Sequence, residues 1–256
     1  MKVVILAGGI GSRFSEETLA IPKPMIEVGG IPVLIHIMNI FSHYKYNDFI
    51  ICCGYKGHLI KKYFIDYQLF NSNVSIEFSK NKILYEDKSN NKWKVSLVDT
   101  GLNTNTGGRL KKIKNYLKKN ETFLMTYGDG LSNVNIPQLV NFHKKNKLLA
   151  TMTVIQPRYQ YGILSLKEDI VCKFEEKPKP KNQYVNGGFF VLSEKCLNLV
   201  KDDYTSWESV CIPALVKMKQ LCAYKHDGFW HSMDTLNDKL KLEKLYRKNP
   251  PWSVFE

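Results

Sequence analysis

The sequence contains no apolar run near the roughly 18 to 20 residues that cross a bilayer. Its longest, such as Ile31 to Ile35 and Phe49 to Cys53, are far shorter, which excludes a spanning helix. At the N-terminus, a basic residue and a short apolar stretch are interrupted by Gly8 and Gly9 before a signal-peptide core can form, so a cytoplasmic protein without membrane partners is expected. The six cysteines include no CxxC pair, and most sit among apolar residues, where Cys behaves as a small core residue; neither a zinc site nor a disulfide framework is expected. His36, His43, His58, His143, His226 and His231 show no metal-ligand spacing and accompany no nucleophilic Ser or Cys pattern, so they read as structural or surface groups. Linkers, internal repeats and low-complexity segments are absent.

What is present is a foldable, basic chain. Its 256 residues are 44% apolar and 12% aromatic, enough for a sizeable core and too apolar for disorder. Acidic residues are few: 24 Asp and Glu stand against 37 Lys and Arg, a net charge of +13. That excess fits nucleic acid, an anionic surface or a small anionic substrate. Lysines cluster at 111–119, 144–147 and 177–181. In the first cluster, Leu110, Ile113 and Leu117 have helical spacing, leaving the lysines on a solvated outer face.

The apolar pattern predicts buried strands at 3–7 and 49–53, helices over 32–41 and 59–67, and further strands at 74–78, 95–98, 123–127 and 150–155. Strand and helix alternate, which implies a parallel sheet that binds ligands beyond its C-terminal strand ends. From Gly162 onward, shorter strands at 162–166, 171–174 and 188–192 suggest an antiparallel addition to the same sheet, and Leu236, Leu240 and Leu245 suggest a closing helix. The expectation is one α/β domain over 1–256, with a Rossmann-like, mixed and mostly parallel sheet flanked by helices, its larger part over about 1–155 and a smaller, antiparallel addition over about 156–256.

The first strand ends in Leu6-Ala7-Gly8-Gly9-Ile10-Gly11-Ser12-Arg13. A glycine-rich turn there lets backbone N–H groups approach a phosphate, with Arg13 to take up charge, though a purely structural turn fits the glycines as well. In Pro22-Lys23-Pro24 two prolines hold a lysine in an extended backbone, either as a phosphate-binding group or as a rigid surface turn. Asp129 follows an apolar strand, where a carboxylate can hold Mg²⁺ against a triphosphate, although Asp-Gly is also a common tight turn. Asp234 precedes Thr235 and can serve as a helix N-cap for the segment that begins there, which would not prevent its carboxylate from also holding a ligand.

These motifs, with Cys52 to Gly57, Asp99-Thr100-Gly101, Thr106-Gly107-Gly108-Arg109, Tyr127-Gly128-Asp129-Gly130, Glu176-Lys177-Pro178, Asn186 to Phe190 and Met233-Asp234-Thr235, resemble the sugar-1-phosphate nucleotidyltransferases and, within them, the glucose-1-phosphate cytidylyltransferases. The resemblance runs through nearly the whole chain and implies the nucleotide-diphospho-sugar transferase fold, with a nucleotide-binding core over about 1–155 and a sugar-phosphate-binding part over about 156–256. It further implies a nucleotide site formed by Leu6, Ala7, Gly8, Gly9, Gly11, Ser12, Arg13, Lys23, Thr106, Arg109 and Gly128, with Thr106 and Arg109 at the cytosine. A sugar-phosphate site would comprise Tyr127, Gly162, Glu176, Lys177, Asn186 and Gly187, with Tyr161 beside Gly162. Mg²⁺ would sit on Asp129 and Asp234, and Arg13, Lys23 and Asp129 would be catalytic.

The implied reaction joins CTP and α-D-glucose 1-phosphate to give CDP-glucose and pyrophosphate, for deoxysugar and surface-polysaccharide synthesis, in a homo-oligomer that binds no nucleic acid. The chain departs from the family pattern at Ile21, usually basic, at Ser12, usually Thr, and at Ser209 to Ile212, where a second acidic residue is usual; these positions bear on nucleotide, sugar and subunit contacts. Another nucleotide such as UTP or dTTP, or another sugar phosphate, is the nearest alternative. A non-catalytic nucleotide-sensing or nucleic-acid-binding module would lack the metal ligands or show a basic groove studded with aromatics, neither of which the sequence displays.

Overall fold

Val3–Leu6 forms strand β1, and all four side chains are buried because both faces of the strand are covered. Val3 and Ile5 enter one apolar cluster, Val4 and Leu6 another, the period-two alternation of a strand between two layers. The structure, a computed structural model, describes residues 1–11, 18–86, 92–157, 162–176 and 183–253. After β1 come the short ladder of β2 (Glu27–Val28) and β3 (Ile31–Pro32), helix α1 (Val33–His43), β4 (Asp48–Cys53), α2 (Gly57–Asn71) and the hairpin of β5 (Asn73–Glu77) and β6 (Lys82–Glu86). β7 (Lys94–Asp99), α3 (Thr106–Lys112), β8 (Thr122–Tyr127), β9 (Gly130–Ser132), α4 (Ile136–Asn146) and β10 (Ala150–Ile155) follow. The remainder holds the hairpin of β11 (Ile163–Lys167) and β12 (Ile170–Glu175), then β13 (Val185–Ser193), α5 (Ile212–Lys217), β14 (Leu221–Lys225), β15 (Trp230–Ser232) and α6 (Leu236–Lys248).

Seven strands form one sheet in the order β14-β10-β13-β8-β1-β4-β7. The pairs β1–β4, β1–β8, β4–β7 and β10–β14 are parallel, and β13 alone runs against its neighbours β8 and β10. This is the mixed, mostly parallel sheet that the sequence predicts. Residues of α1, α4 and α6 fill the cluster on one face, and those of α3 and α5 help fill the other. Four of the six cysteines are buried core residues. Among the described residues no helix is long and apolar enough to cross a membrane.

Several expectations need correction. The strand predicted at 74–78 pairs only with β6, in a hairpin apart from the sheet. Likewise β11 and β12 pair only with each other, and β13 is the sole reversed strand inserted into the sheet. Helix α6 forms, but Leu236 and Leu240 are exposed and Leu242 is its fully buried residue. The helix expected through 110–117 divides into α3 and a separate 3-10 turn at Lys114–Tyr116. Its lysines are less idle than a solvated face implies: Lys111 donates to the Lys201 carbonyl at 2.7 Å, and Lys112 pairs with Asp203 at 2.6 Å. Helix α4, with Asn135 as its N-cap, and strand β14 have patterns too mixed to stand out in the sequence.

Candidate active site

Near the end of β8 the structure brings together three of the predicted residues, Lys23, Asp129 and Asp234. Asp129 lies just beyond β8, and the antiparallel ladder of β9 with β15, matching Gly130 with Ser232, runs alongside it. The Met233 N–H donates to the Asp129 carbonyl at 3.0 Å, which carries Asp234 to the same place. Thr235, not Asp234, caps α6, and Asp238 completes a capping box with it. Asp234 is therefore held instead by the Ser232 hydroxyl and by a lysine.

That lysine is Lys23. Pro22 is extended as predicted, but Lys23 itself opens a single 3-10 turn over Lys23–Met25, correcting the expected extended backbone. Its ammonium lies 2.7 Å from Asp129 Oδ2 and 2.8 Å from Asp234 Oδ1, and its side chain is only 10% exposed. Burial opposes the charge, but the two carboxylates outweigh it and raise the Lys23 pKa above 10.5. Two carboxylates 106 and 211 residues away in sequence thus converge on one cation.

At the end of β1, Ala7 donates to the Cys52 carbonyl at 3.1 Å, and the Gly8 carbonyl accepts the Tyr55 N–H at 3.0 Å. Leu6 and Ala7 are buried, while Gly9 faces open space, with nothing within 4 Å of where a Cβ would stand. Under Gly8 lies the Arg109 guanidinium, so close that any side chain at Gly8 would displace it. Arg109 Nη1 donates to Thr100 Oγ1 and to the Gly101 carbonyl, both at 2.7 Å, and Nη2 reaches the Leu102 carbonyl at 3.3 Å. The guanidinium is near the glycine turn, but its donors bind the loop after β7. Burial lowers its pKa. Thr106 Oγ1 likewise faces protein: it donates to Glu208 at 2.5 Å and accepts the Trp207 N–H at 2.9 Å.

Tyr127, at the end of β8, donates its hydroxyl to Glu208 at 2.6 Å and accepts from Asn186 Nδ2 at 3.2 Å. Burial, then the adjacent Glu208 carboxylate, push its pKa well above that of an ordinary phenol. Asn186 Oδ1 accepts the Gly188 N–H at 2.8 Å, and the Gly187 carbonyl accepts Trp230 Nε1 at 2.7 Å. Gly162 and Glu176 meet at the base of the β11–β12 hairpin, where a Cβ on Gly162 would stand 3.2 Å from Glu176 Oε2. Gly11 has a left-handed φ of +68°, and the Gly128 N–H donates to the Leu6 carbonyl at 3.0 Å. Ser12, Arg13, Tyr161 and Lys177 lie outside the described residues.

Three residues were not singled out from sequence. Tyr55 donates to the Thr18 carbonyl at 3.0 Å, and Lys56 binds the Leu19 and Ala20 carbonyls, so both hold the stretch Thr18 to Ala20 that shortly precedes Lys23. Glu208 joins Thr106 to Tyr127. The Cys52 to Gly57 motif signals the first two residues; for Glu208 the sequence offers only an acidic residue beside a tryptophan.

Asp129 and Asp234 fit a hard divalent cation. Both are oxygen donors already gathered about a positive charge, and both are partly open to solvent, at 28% and 37% side-chain exposure. No cluster of three or more His, Cys, Asp or Glu suited to a metal occurs among the described residues. Two carboxylates with water and substrate phosphates completing the shell is how Mg²⁺ is commonly bound.

The family model described as "Nucleotidyl transferase" matches residues 2–249. The chain is 46% identical to the glucose-1-phosphate cytidylyltransferase of Salmonella typhimurium, and 46% identical to that of Salmonella typhi, over the whole of each chain. Its fold is similar to the crystal structure of HddC from Yersinia pseudotuberculosis complexed with GMP-PN, with TM-score 0.69 and 22% identity, covering 96% of this chain and 99% of that one. With a site of this composition at the strand ends of this sheet, the chain is an enzyme of the nucleotidyl transferase family, on its glucose-1-phosphate cytidylyltransferase branch.

Proposed function

We propose that the protein transfers the cytidylyl group of CTP to α-D-glucose 1-phosphate, giving CDP-glucose and pyrophosphate. The observation that carries this reading is the convergence of Lys23, Asp129 and Asp234 at the end of β8, in a chain similar throughout its length to cytidylyltransferases. An oxygen of the sugar phosphate attacks the α-phosphorus in line, and pyrophosphate leaves. The attacking phosphate is already ionised at neutral pH, so no general base is required. Binding and charge neutralisation supply the acceleration. Asp129 and Asp234 would hold Mg²⁺, which would supply charge neutralisation to the triphosphate. Lys23 holds the two carboxylates in place and adds positive charge beside them. Arg13 and Lys177 neutralise the triphosphate and the sugar phosphate, and the glycine turn presents its open side at Gly9 to the nucleotide.

Residues about 1–155 form the nucleotide end and the remainder the sugar-phosphate end of one domain. The product serves deoxysugar and surface-polysaccharide synthesis in the cytoplasm. The enzyme works as a homo-oligomer, a reading supported by the uncovered apolar residues Leu164, Leu166, Ile170 and Phe174 of the β11–β12 hairpin. A lone two-stranded hairpin is marginal in water without a surface to pack on. Pyrophosphate release across CTP, UTP, GTP, ATP and dTTP, each with several sugar 1-phosphates, tests the assignment. CTP with glucose 1-phosphate is expected to give the highest kcat/KM, and a preference for any other pair refutes it.

A further inference from the structure

Glu208 stands on a single π-helical turn, Trp207–Cys211, a rare geometry that recurs at functional sites. The turn is firmly built. Ser206 Oγ accepts the Ser209 N–H at 3.1 Å, and fully buried Trp207 meets Phe190 edge-on with ring centroids 6.2 Å apart. Helix α3 approaches so closely that a Cβ at Gly107 would fall 2.7 Å from the Thr205 carbonyl oxygen. From this base the carboxylate reaches both ends of the site: Oε2 accepts Thr106 Oγ1 at 2.5 Å and Ser206 Oγ at 3.1 Å, and Oε1 accepts the Tyr127 hydroxyl at 2.6 Å.

An ionised carboxylate only accepts, so it dictates where its neighbours' protons point. With its proton on Glu208, the Tyr127 oxygen is left as an acceptor, and it takes Asn186 Nδ2 at 3.2 Å. The Gly188 N–H requires an acceptor as well and takes Asn186 Oδ1 at 2.8 Å, so the amide is fixed at both ends. Thr106, its proton also on Glu208, accepts the Trp207 N–H at 2.9 Å. Reversing any one of these bonds sets donor against donor elsewhere in the chain.

We propose that Glu208 is a positioning residue for the transfer reaction: through Tyr127 it fixes the orientation in which the Asn186 amide meets the sugar, and through Thr106 it ties that orientation to the helix at the nucleotide end. This inference rests on the function proposed above. The test compares wild type, Glu208→Gln, Glu208→Asp, Tyr127→Phe and the Glu208→Gln/Tyr127→Phe pair by kcat, by KM for each substrate and by melting temperature. Glu208→Gln preserves shape but presents an N–H where an acceptor is needed, and it is expected to raise the KM for glucose 1-phosphate about tenfold, with less than about threefold change for CTP. Glu208→Asp, which keeps the acceptor, is expected to recover part of the loss. The double variant should lose no more than the worse single one, because both substitutions cut the same chain. An unchanged glucose 1-phosphate KM in Glu208→Gln, losses that multiply in the double variant, or equal rises in both KM values with only a lower melting temperature would each overturn the proposal. If the wild type prefers another nucleotide and sugar phosphate, the functional reading falls, and the acceptor KM of the same variants on the preferred pair decides the role of Glu208. If no pair is turned over, both fall.

Discussion

Replacing Lys23 with alanine removes the ammonium shared by Asp129 and Asp234, and its consequences can be worked from the contacts. Both distances, 2.7 and 2.8 Å, are those of charge-assisted hydrogen bonds. Each is worth roughly 1.5 to 3 kcal/mol when buried. The lysine is buried, but the carboxylates are 28% and 37% exposed, so solvent screening reduces the pair to about 2 kcal/mol in total. For a chain of this length that corresponds to a melting temperature lower by roughly 4 to 8 °C. Because the folded pKa of Lys23 is raised, this contribution is complete below pH 10.5 and is lost as pH rises through the folded value, so the gap between wild type and variant should stay constant across neutral pH. Two carboxylates left without their cation bind a divalent ion more readily, so added Mg²⁺ should raise the variant's melting temperature more than that of the wild type. Turnover should fall about 10²-fold or more, the scale for losing a charge-stabilising group. Thermal unfolding with and without Mg²⁺, beside a pyrophosphate-release assay, measures all three effects. Near-wild-type turnover, or an equal response of both proteins to Mg²⁺, would refute the reasoning.

Two other perturbations test different parts of the structure. Arg109→Lys cannot reproduce the forked contacts to Thr100, Gly101 and Leu102, and should cost about 2 kcal/mol of stability, seen as a lower denaturation midpoint; a normal midpoint with a raised CTP KM would instead make Arg109 a direct nucleotide contact. His36 is buried, with Nε2 on the Val28 carbonyl and Nδ1 accepting Trp252 Nε1, and burial lowers its pKa below 6.5. The stability that its neutral form provides is complete above pH 6.5 and is lost as pH falls through the folded value, so acid sensitivity in this range should be smaller in His36→Gln, and an identical pH profile would contradict this.

Much of the sheet was legible because β1 and β4 are nearly continuous apolar runs and β8 and β10 carry apolar stretches broken only by threonines, all largely buried. What pairs with what was less so. The strand near 74–78 and the two strands of the β11–β12 hairpin carry the same residue types as sheet strands, and only tertiary contacts decide that they stay outside the sheet. In α6, Leu236 and Leu240 lie on the outer face while Leu242 packs inward, a distinction among leucines that depends on where the helix docks. At the site, Lys23, Asp129 and Asp234 each sit in a local motif, so they could be found one at a time. That Lys23 joins the two aspartates, and that Arg109 and Thr106 bind protein groups, follows from folding rather than from any local pattern.

The reversed direction of β13 has an evolutionary consequence. Running against β8, it brings its entering end, with Asn186, beside the exiting end of β8, with Tyr127. In the function proposed here, the acceptor side of the reaction is thus served by a connection that feeds a strand, whereas the donor side is served by loops that leave strands. Mutation or insertion in the segment before β13 can therefore remodel which acceptor is admitted while the loops following β1 and β8 stay intact, a division by which one nucleotide-activating scaffold can diversify over many sugars.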